Sequence, residues 1–117
     1  MKNFKALKIW QKGFEIATAS FRLVDSFPRQ ERFGLSAQIT RAAVSIPANI
    51  AEGGSRTSEK DYKRFLEIAL GSVFEIETHL LIAEKACFGS EEARNQLLKL
   101  VDEEQKMLIV FVKRLEN

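Results

Sequence analysis

The side chains with the most intrinsic reactivity are one histidine, His79, and one cysteine, Cys87. On a single helix, eight residues separate them by about 12 Å along the axis, too far for a thiolate–imidazole dyad within one chain. The stretch "EIETH" puts Glu75 four residues before His79, with Ile76 where a di-iron bundle motif needs its Glu. Such a site also draws on histidines from two helices, and the chain has one. His79 therefore reads as a partly exposed helix residue and Cys87 as a small packed group. The carboxylate pairs Glu75/Glu77 and Glu91/Glu92 point apart on a helix. No catalytic residue, metal site or cofactor is expected, and the chain does not read as an enzyme.

Basic residues offer a different chemistry, contact with phosphates. Lys5, Lys8 and Lys12 line one side of the first helical segment, and "RTSEKDYKR" supplies Arg56, Lys60, Lys63 and Arg64 at the start of the third. Residues 1–64 hold twelve Lys+Arg against six Asp+Glu, whereas residues 65–117 hold six against ten, so the net charge of +2 hides a basic half and an acidic half. Such asymmetry suits an anionic partner or head-to-tail packing of subunits, or is simply the charge of solvated helix faces. One copy would make few phosphate contacts and bind weakly; several copies would multiply the field. The phenylalanines fall mainly at core spacing, which does not indicate stacking on bases.

A second polar pattern runs through "RAAVSIPANIAEG". Gln38, Arg41, Ser45, Asn49 and Glu52 recur at threes and fours and form one polar stripe. It reads either as a buried hydrogen-bond network with an Arg41–Glu52 ion pair, or as a ligand or nucleic-acid contact line continuing to Arg56. Gly53 and Gly54 lack the surroundings of a phosphate-binding loop. Ser36, Ala37, Thr40, Val44, Ala48 and Ala51, on the outer face, are small or apolar, so something is expected to pack there.

Four helices must position these groups. The first spans about Phe4 to Asp25, with Leu7, Trp10, Phe14, Ala17, Phe21 and Val24 on its core face, and stops at "SFPRQERFG". The second runs from Leu35 to Glu52, its core face Leu35, Ile39, Ala42, Ile46 and Ile50, with a kink expected near Pro47 that Ser45 or Asn49 could compensate. The third starts after Ser58, which forms an S-x-x-D capping box with Asp61, and buries Tyr62, Phe65, Ala69, Val73, Ile76, Leu80 and Ala83. The fourth starts after Ser90 and carries Leu97, Val101, Leu108, Phe111 and Leu115. The result is an all-α, antiparallel up-and-down four-helix bundle forming a single domain over residues 1–117. Second apolar rows (Ile9, Ile16 and Leu23; Phe74 and Leu81; Leu100, Met107 and Val110) point to a subunit interface. A lone cysteine, no membrane-length apolar run and a charged N-terminus unlike a signal peptide imply a cytoplasmic protein.

Trp10, "FP" at 27–28, "ERFGLSAQITRAAVSIPANIAEG" at 31–53 and "FLEIALGSVFEIETHL" at 65–80 together resemble the 23S rRNA-intervening-sequence proteins, bacterial four-helix bundles often encoded within 23S rRNA genes. The resemblance spans nearly the whole chain. It implies an antiparallel bundle of undefined molecular role and assigns no catalytic task to Arg41, Ser45, Pro47, Asn49, Glu52 or Gly53. The related accessory variability protein of diversity-generating retroelements forms a positively charged homopentameric ring that contacts nucleic acid and a reverse transcriptase. By that analogy the chain is a homo-oligomer, taken to be a pentamer, whose partners are RNA or DNA, or another protein. The other class of function is a purely structural or protein-interaction bundle with no nucleic-acid role.

Overall fold

Two serines set where the second half of the chain begins to coil. The Ser58 hydroxyl accepts from the Asp61 amide at 3.1 Å and the Ser90 hydroxyl from the Ala93 amide at 3.2 Å, so both N-termini are capped as their sequence contexts predict. In the computed structural model, which describes residues 3–115, the helices are α1 (Lys8–Val24), α2 (Leu35–Gly54), α3 (Glu59–Lys85) and α4 (Glu91–Arg114). Single 3-10 turns at Phe4–Ala6 and Arg29–Glu31 precede α1 and α2. The first segment was expected to coil continuously from Phe4, but Leu7 is extended at ψ 132° and separates the turn from α1.

Each helix packs on two neighbours. α1 lies against α2 and α4, α3 lies against α2 and α4, and the diagonal pairs make no close backbone contact among the described residues. This is the antiparallel four-helix bundle, 44 Å long and 22 by 20 Å across. α2 runs unbroken through Pro47. Proline cannot donate to the Ala43 carbonyl. Ser45 donates to the Ala42 carbonyl at 2.8 Å and Asn49 to the Ser45 carbonyl at 2.7 Å, on either side of Pro47, and neither replaces the bond to Ala43.

The core faces of α2 and α3 are those expected, with only Leu35 left half-buried; in α1 Ala17 is buried and Leu7, Trp10 and Val24 are half-buried against the core, but the buried face is rotated away from the two phenylalanines. Ile9, Ile16 and Leu23, expected at a subunit interface, are core residues at 3% exposure or less, and Phe14 and Phe21, expected in the core, are about half exposed. The cause is steric. Gly13 and Ser20 occupy the middle of the buried face, where a Cβ on Gly13 would meet Ile46 Cγ2 at 3.0 Å, so α2 approaches α1 too closely for large side chains there. An apolar-periodicity reading skips a glycine and a serine and drifts toward the phenylalanines.

α4 likewise hides two polar residues in its buried face. Arg94 donates to the carbonyls of Phe88 and Gly89 at 2.6 and 2.8 Å, tying the α3–α4 loop down, and Glu104 is wholly buried between Val101 and Leu108.

Cys87 is not packed; it is exposed and sits at φ 60°. The amides of Phe88 and Cys87 bond the carbonyls of Ala83 and Glu84, a Schellman ending for α3 with cysteine at the left-handed position that glycine ordinarily takes. Cys87→Gly is expected to raise stability by about 1 kcal/mol, read as an upward shift of a few degrees in the thermal midpoint. An unchanged or lower midpoint would contradict the strain assigned to that residue.

Candidate nucleic-acid interface

An up-and-down bundle brings the start of α1, the end of α2, the start of α3 and the end of α4 to one end of the rod. Three contacts fix this. The Phe4–Ala6 turn packs on α2, the Tyr62 and Phe111 rings meet edge to face at 5.9 Å, and Lys8 and Ile9 border the same groove as Met107 and Arg114. The basic clusters of α1 and α3, separated by some forty residues in sequence, therefore share an end with Lys106, Lys113 and Arg114 of α4. Among the described residues this end carries ten Lys and Arg against Glu52, Glu59, Asp61, Asp102 and Glu103, the last two paired with Lys106 and Lys12. At the far end Arg22, Arg29, Arg32, Lys85 and Arg94 are balanced by Asp25, Glu31, Glu84, Glu91 and Glu92. With a screening length of about 8 Å at physiological salt, the two ends of a 44 Å rod act as separate fields.

The seven candidate cations are not equally available. Lys5, Lys8 and Lys60 are exposed. Lys12 is held by Glu103 at 3.0 Å, across the α1–α4 contact. Arg56 pairs with Glu52 at 2.9 Å, and Arg56 and Arg64 both lie 4.8 Å from the Phe65 ring, one of them already charge-compensated. Lys63 is half-buried. Stacking on Phe65 holds the guanidinium planes at the surface while leaving N–H groups free to meet an anion.

The polar stripe of α2 is not a closed network. Gln38, Arg41 and Glu52 are exposed, and only Ser45 and Asn49 are half-buried. Arg41 and Glu52 share a face but stand eleven residues apart, about 16 Å along the axis, so they cannot pair within the helix, and Glu52 turns to Arg56 instead. Ser45 reaches α3, where its hydroxyl meets that of Ser72. The outer face of α2 is only partly covered: Ser36 is buried, Ala37, Thr40 and Ala51 are half-buried, and Val44 and Ala48 are open.

His79 pairs with Glu75 one turn away at 3.2 Å, and among the described residues no three metal-ligating side chains converge. The expectation that the phenylalanines are core residues fails for Phe14, Phe21 and Phe33, the last 86% exposed with Arg32 stacked 5.2 Å above it. Phe21 and Phe33 line a pocket with Arg29 and Arg32 toward the far end, away from the basic end. The residue that sequence patterning missed altogether is Glu104. Its signal was a spacing of seven between Val101 and Leu108, which leaves the turn between them to a residue facing the same way.

The comparisons with known proteins agree with this fold. Residues 5–110 match the family model described as 23S rRNA-intervening sequence protein. The chain belongs to the 23S rRNA-intervening sequence protein family. Among solved structures it is similar to a protein of unknown function from the S23 ribosomal protein family of Bacteroides thetaiotaomicron, at 28% identity and a TM-score of 0.80. That similarity covers 90% of this chain and 98% of the other. No curated protein matches it. Among the described residues of this family member, no helix is long and apolar enough to cross a membrane.

Proposed function

We propose that the chain is a non-enzymatic, self-associating accessory bundle of the cytoplasm that binds RNA through phosphate contacts at its basic end. The observation that supports this reading is the convergence of two sequence-distant basic clusters and the cationic end of α4 on one end of the rod, while the opposite end is balanced. Lys5, Lys8, Lys60 and Arg64 are the leading contacts, with Lys12, Arg56 and Lys63 around them. Assembly of several copies, a pentamer by analogy with the retroelement accessory protein, would sum fields too weak alone.

Fluorescence anisotropy with a single-stranded RNA tests it. Affinity should fall at least tenfold between about 50 and 200 mM salt, and Lys60→Glu with Arg64→Glu should lower it further and flatten the salt slope by about 1.4. Arg29→Glu with Arg32→Glu, at the far end, should change little. Absent or salt-independent RNA binding would overturn the proposal, and equal preference for DNA would leave only a general polyanion reading.

A second reading, a structural or protein-interaction bundle, is favoured by the pairs that Lys12 and Arg56 already make with Glu103 and Glu52. On that reading the reversal of Lys60, Lys63 and Arg64 to Glu leaves partner binding unchanged.

A further inference from the structure

Two surfaces of opposite character stand away from each other on this bundle. Between the start of α1 and the end of α4 lies a groove of about 550 Å³ with an apolar floor of Ile9, Met107, Val110 and Phe111. Its remaining lining is Lys8, Lys106 and Arg114, with no carboxylate. Val110 is 49% exposed in it, and Lys106 is tied only to Asp102, an exposed pair that contributes little.

The outer face of α3 is the converse. Ile68, Phe74, Leu81 and Ile82 are 43–50% exposed along it. The flanking charges are the exposed carboxylates Glu67, Glu75 and Glu84, and no Lys or Arg occurs from Phe65 to Glu84. Gly71, in the middle of the stripe, has open space where a Cβ would be, leaving a notch in an otherwise protruding row. Phe74 and Leu81 are two turns apart, about 10 Å, which matches the roughly 12 Å of α4 between Lys106 and Arg114.

We propose that the α3 stripe of one copy docks into the α1–α4 groove of the next, an inference that rests on the self-association reading and adds to it which surfaces meet. Phe74 and Leu81 enter the apolar floor, and Glu75 and Glu84, about 14 Å apart along α3, face Lys106 and Arg114, about 12 Å apart along α4, with Glu75 also holding His79. Complementary charge of this kind fixes orientation and speeds encounter, and apolar burial holds the contact. α3 sits diagonally across the bundle from α1, so the two surfaces of one copy face different directions. A single two-fold axis cannot satisfy both at once. The contact is heterologous, and copies joined through it form a closed ring or an open chain.

The test uses two exposed substitutions that each block one surface, Val110→Arg in the groove and Phe74→Arg on the stripe, with circular dichroism to verify that each variant keeps its helical signal. Light scattering should give a multimer for wild type and a monomer for each variant. Mixing the two variants should restore a one-to-one dimer, because one retains its stripe and the other its groove. Lys106→Glu and Leu81→Arg form a second pair if either first substitution unfolds the chain. A wild-type multimer whose mass survives both blocks, or a mixture that stays monomeric, overturns this interface and leaves self-association standing. A wild-type monomer at every concentration overturns the self-association reading itself.

Discussion

Wild-type protein is expected to lose stability steadily as the pH is raised from about 4.5 to about 8, and Glu104→Gln is expected to abolish that component. Glu104 has no exposed surface, and neither carboxyl oxygen has a hydrogen-bond partner among the described residues. It lies against α1 where α2 also approaches: a Cβ on Gly13 would stand 3.1 Å from Glu104 Oε2 and 3.4 Å from the Pro47 nitrogen. Burial pushes its carboxyl up from 4.5 to about 8, and the charge of Lys12 pulls the other way without prevailing. The Lys12 ammonium is committed to Glu103 at 3.0 Å, so Glu104 has no counter-ion of its own. The folded chain keeps a proton that the unfolded chain releases. Between the two values each pH unit therefore costs about 1.4 kcal/mol, or about 5 kcal/mol over the whole range. The stabilising contribution is complete below about 4.5 and gone above about 8. That loss is comparable with the whole stability of a small domain. The informative quantity is the difference between Glu104→Gln and wild type in urea midpoints taken across pH, which isolates this one group. The variant's relative stability should grow with pH and level off near 8; parallel profiles would show that Glu104 ionises as freely folded as unfolded.

Much of this fold is legible from punctuation and period. Ser58 and Ser90 announce α3 and α4, and the seven residues that spacing assigns to the core face of α3 are all buried, because that helix packs large side chains against both neighbours while Ile68, Phe74, Leu81 and Ile82 stay on its outer face. α1 is misread because its buried face includes Gly13, which α2 approaches closely, and Ser20, residues that carry no hydrophobic signal. Glu104 is missed for a related reason: a charged residue type stands for exposure in any pattern reading, and only its neutral form suits the site it occupies. The basic clusters were visible in the sequence as two short, weak patches. Their sum was not, because it depends on helix direction bringing residues 5–12, 56–64 and 106–114 to one end of the rod. The pairing of Lys12 with Glu103 belongs to the same class, since residues ninety-one positions apart meet only once α1 lies on α4.

The same substitution, glycine to alanine, is expected to have opposite signs at two positions, and the contrast explains why residues 41–53 are so small. At Gly53 a Cβ would stand 2.9 Å from Phe65 Cβ and 3.0 Å from Tyr62 Cδ1, with the Tyr62 carbonyl at 3.4 Å. Phe65 Cβ sits directly on the α3 backbone and Tyr62 Cδ1 belongs to a ring that is 2% exposed and fixed against Phe111, so neither can rotate away. The helices must part, and overpacking of this kind costs about 1–3 kcal/mol, more than alanine returns in propensity near the end of α2. At Gly71, inside α3, nothing lies within 4 Å of the added methyl, and the gain in helix propensity of up to about 1 kcal/mol is unopposed. Urea unfolding in the Val110→Arg background, in which docking of α3 on a neighbouring copy is blocked, should therefore place Gly53→Ala below its parent and Gly71→Ala above it. Equal stability at Gly53 would mean that α2 and α3 can separate there without loss. The close packing of "IAEGG" on the first turns of α3 would then no longer account for the absence of large side chains. The expected loss instead assigns that absence to contact between helices of one chain, with α1 pressing at Ile46 and Pro47 and α3 pressing at Gly53.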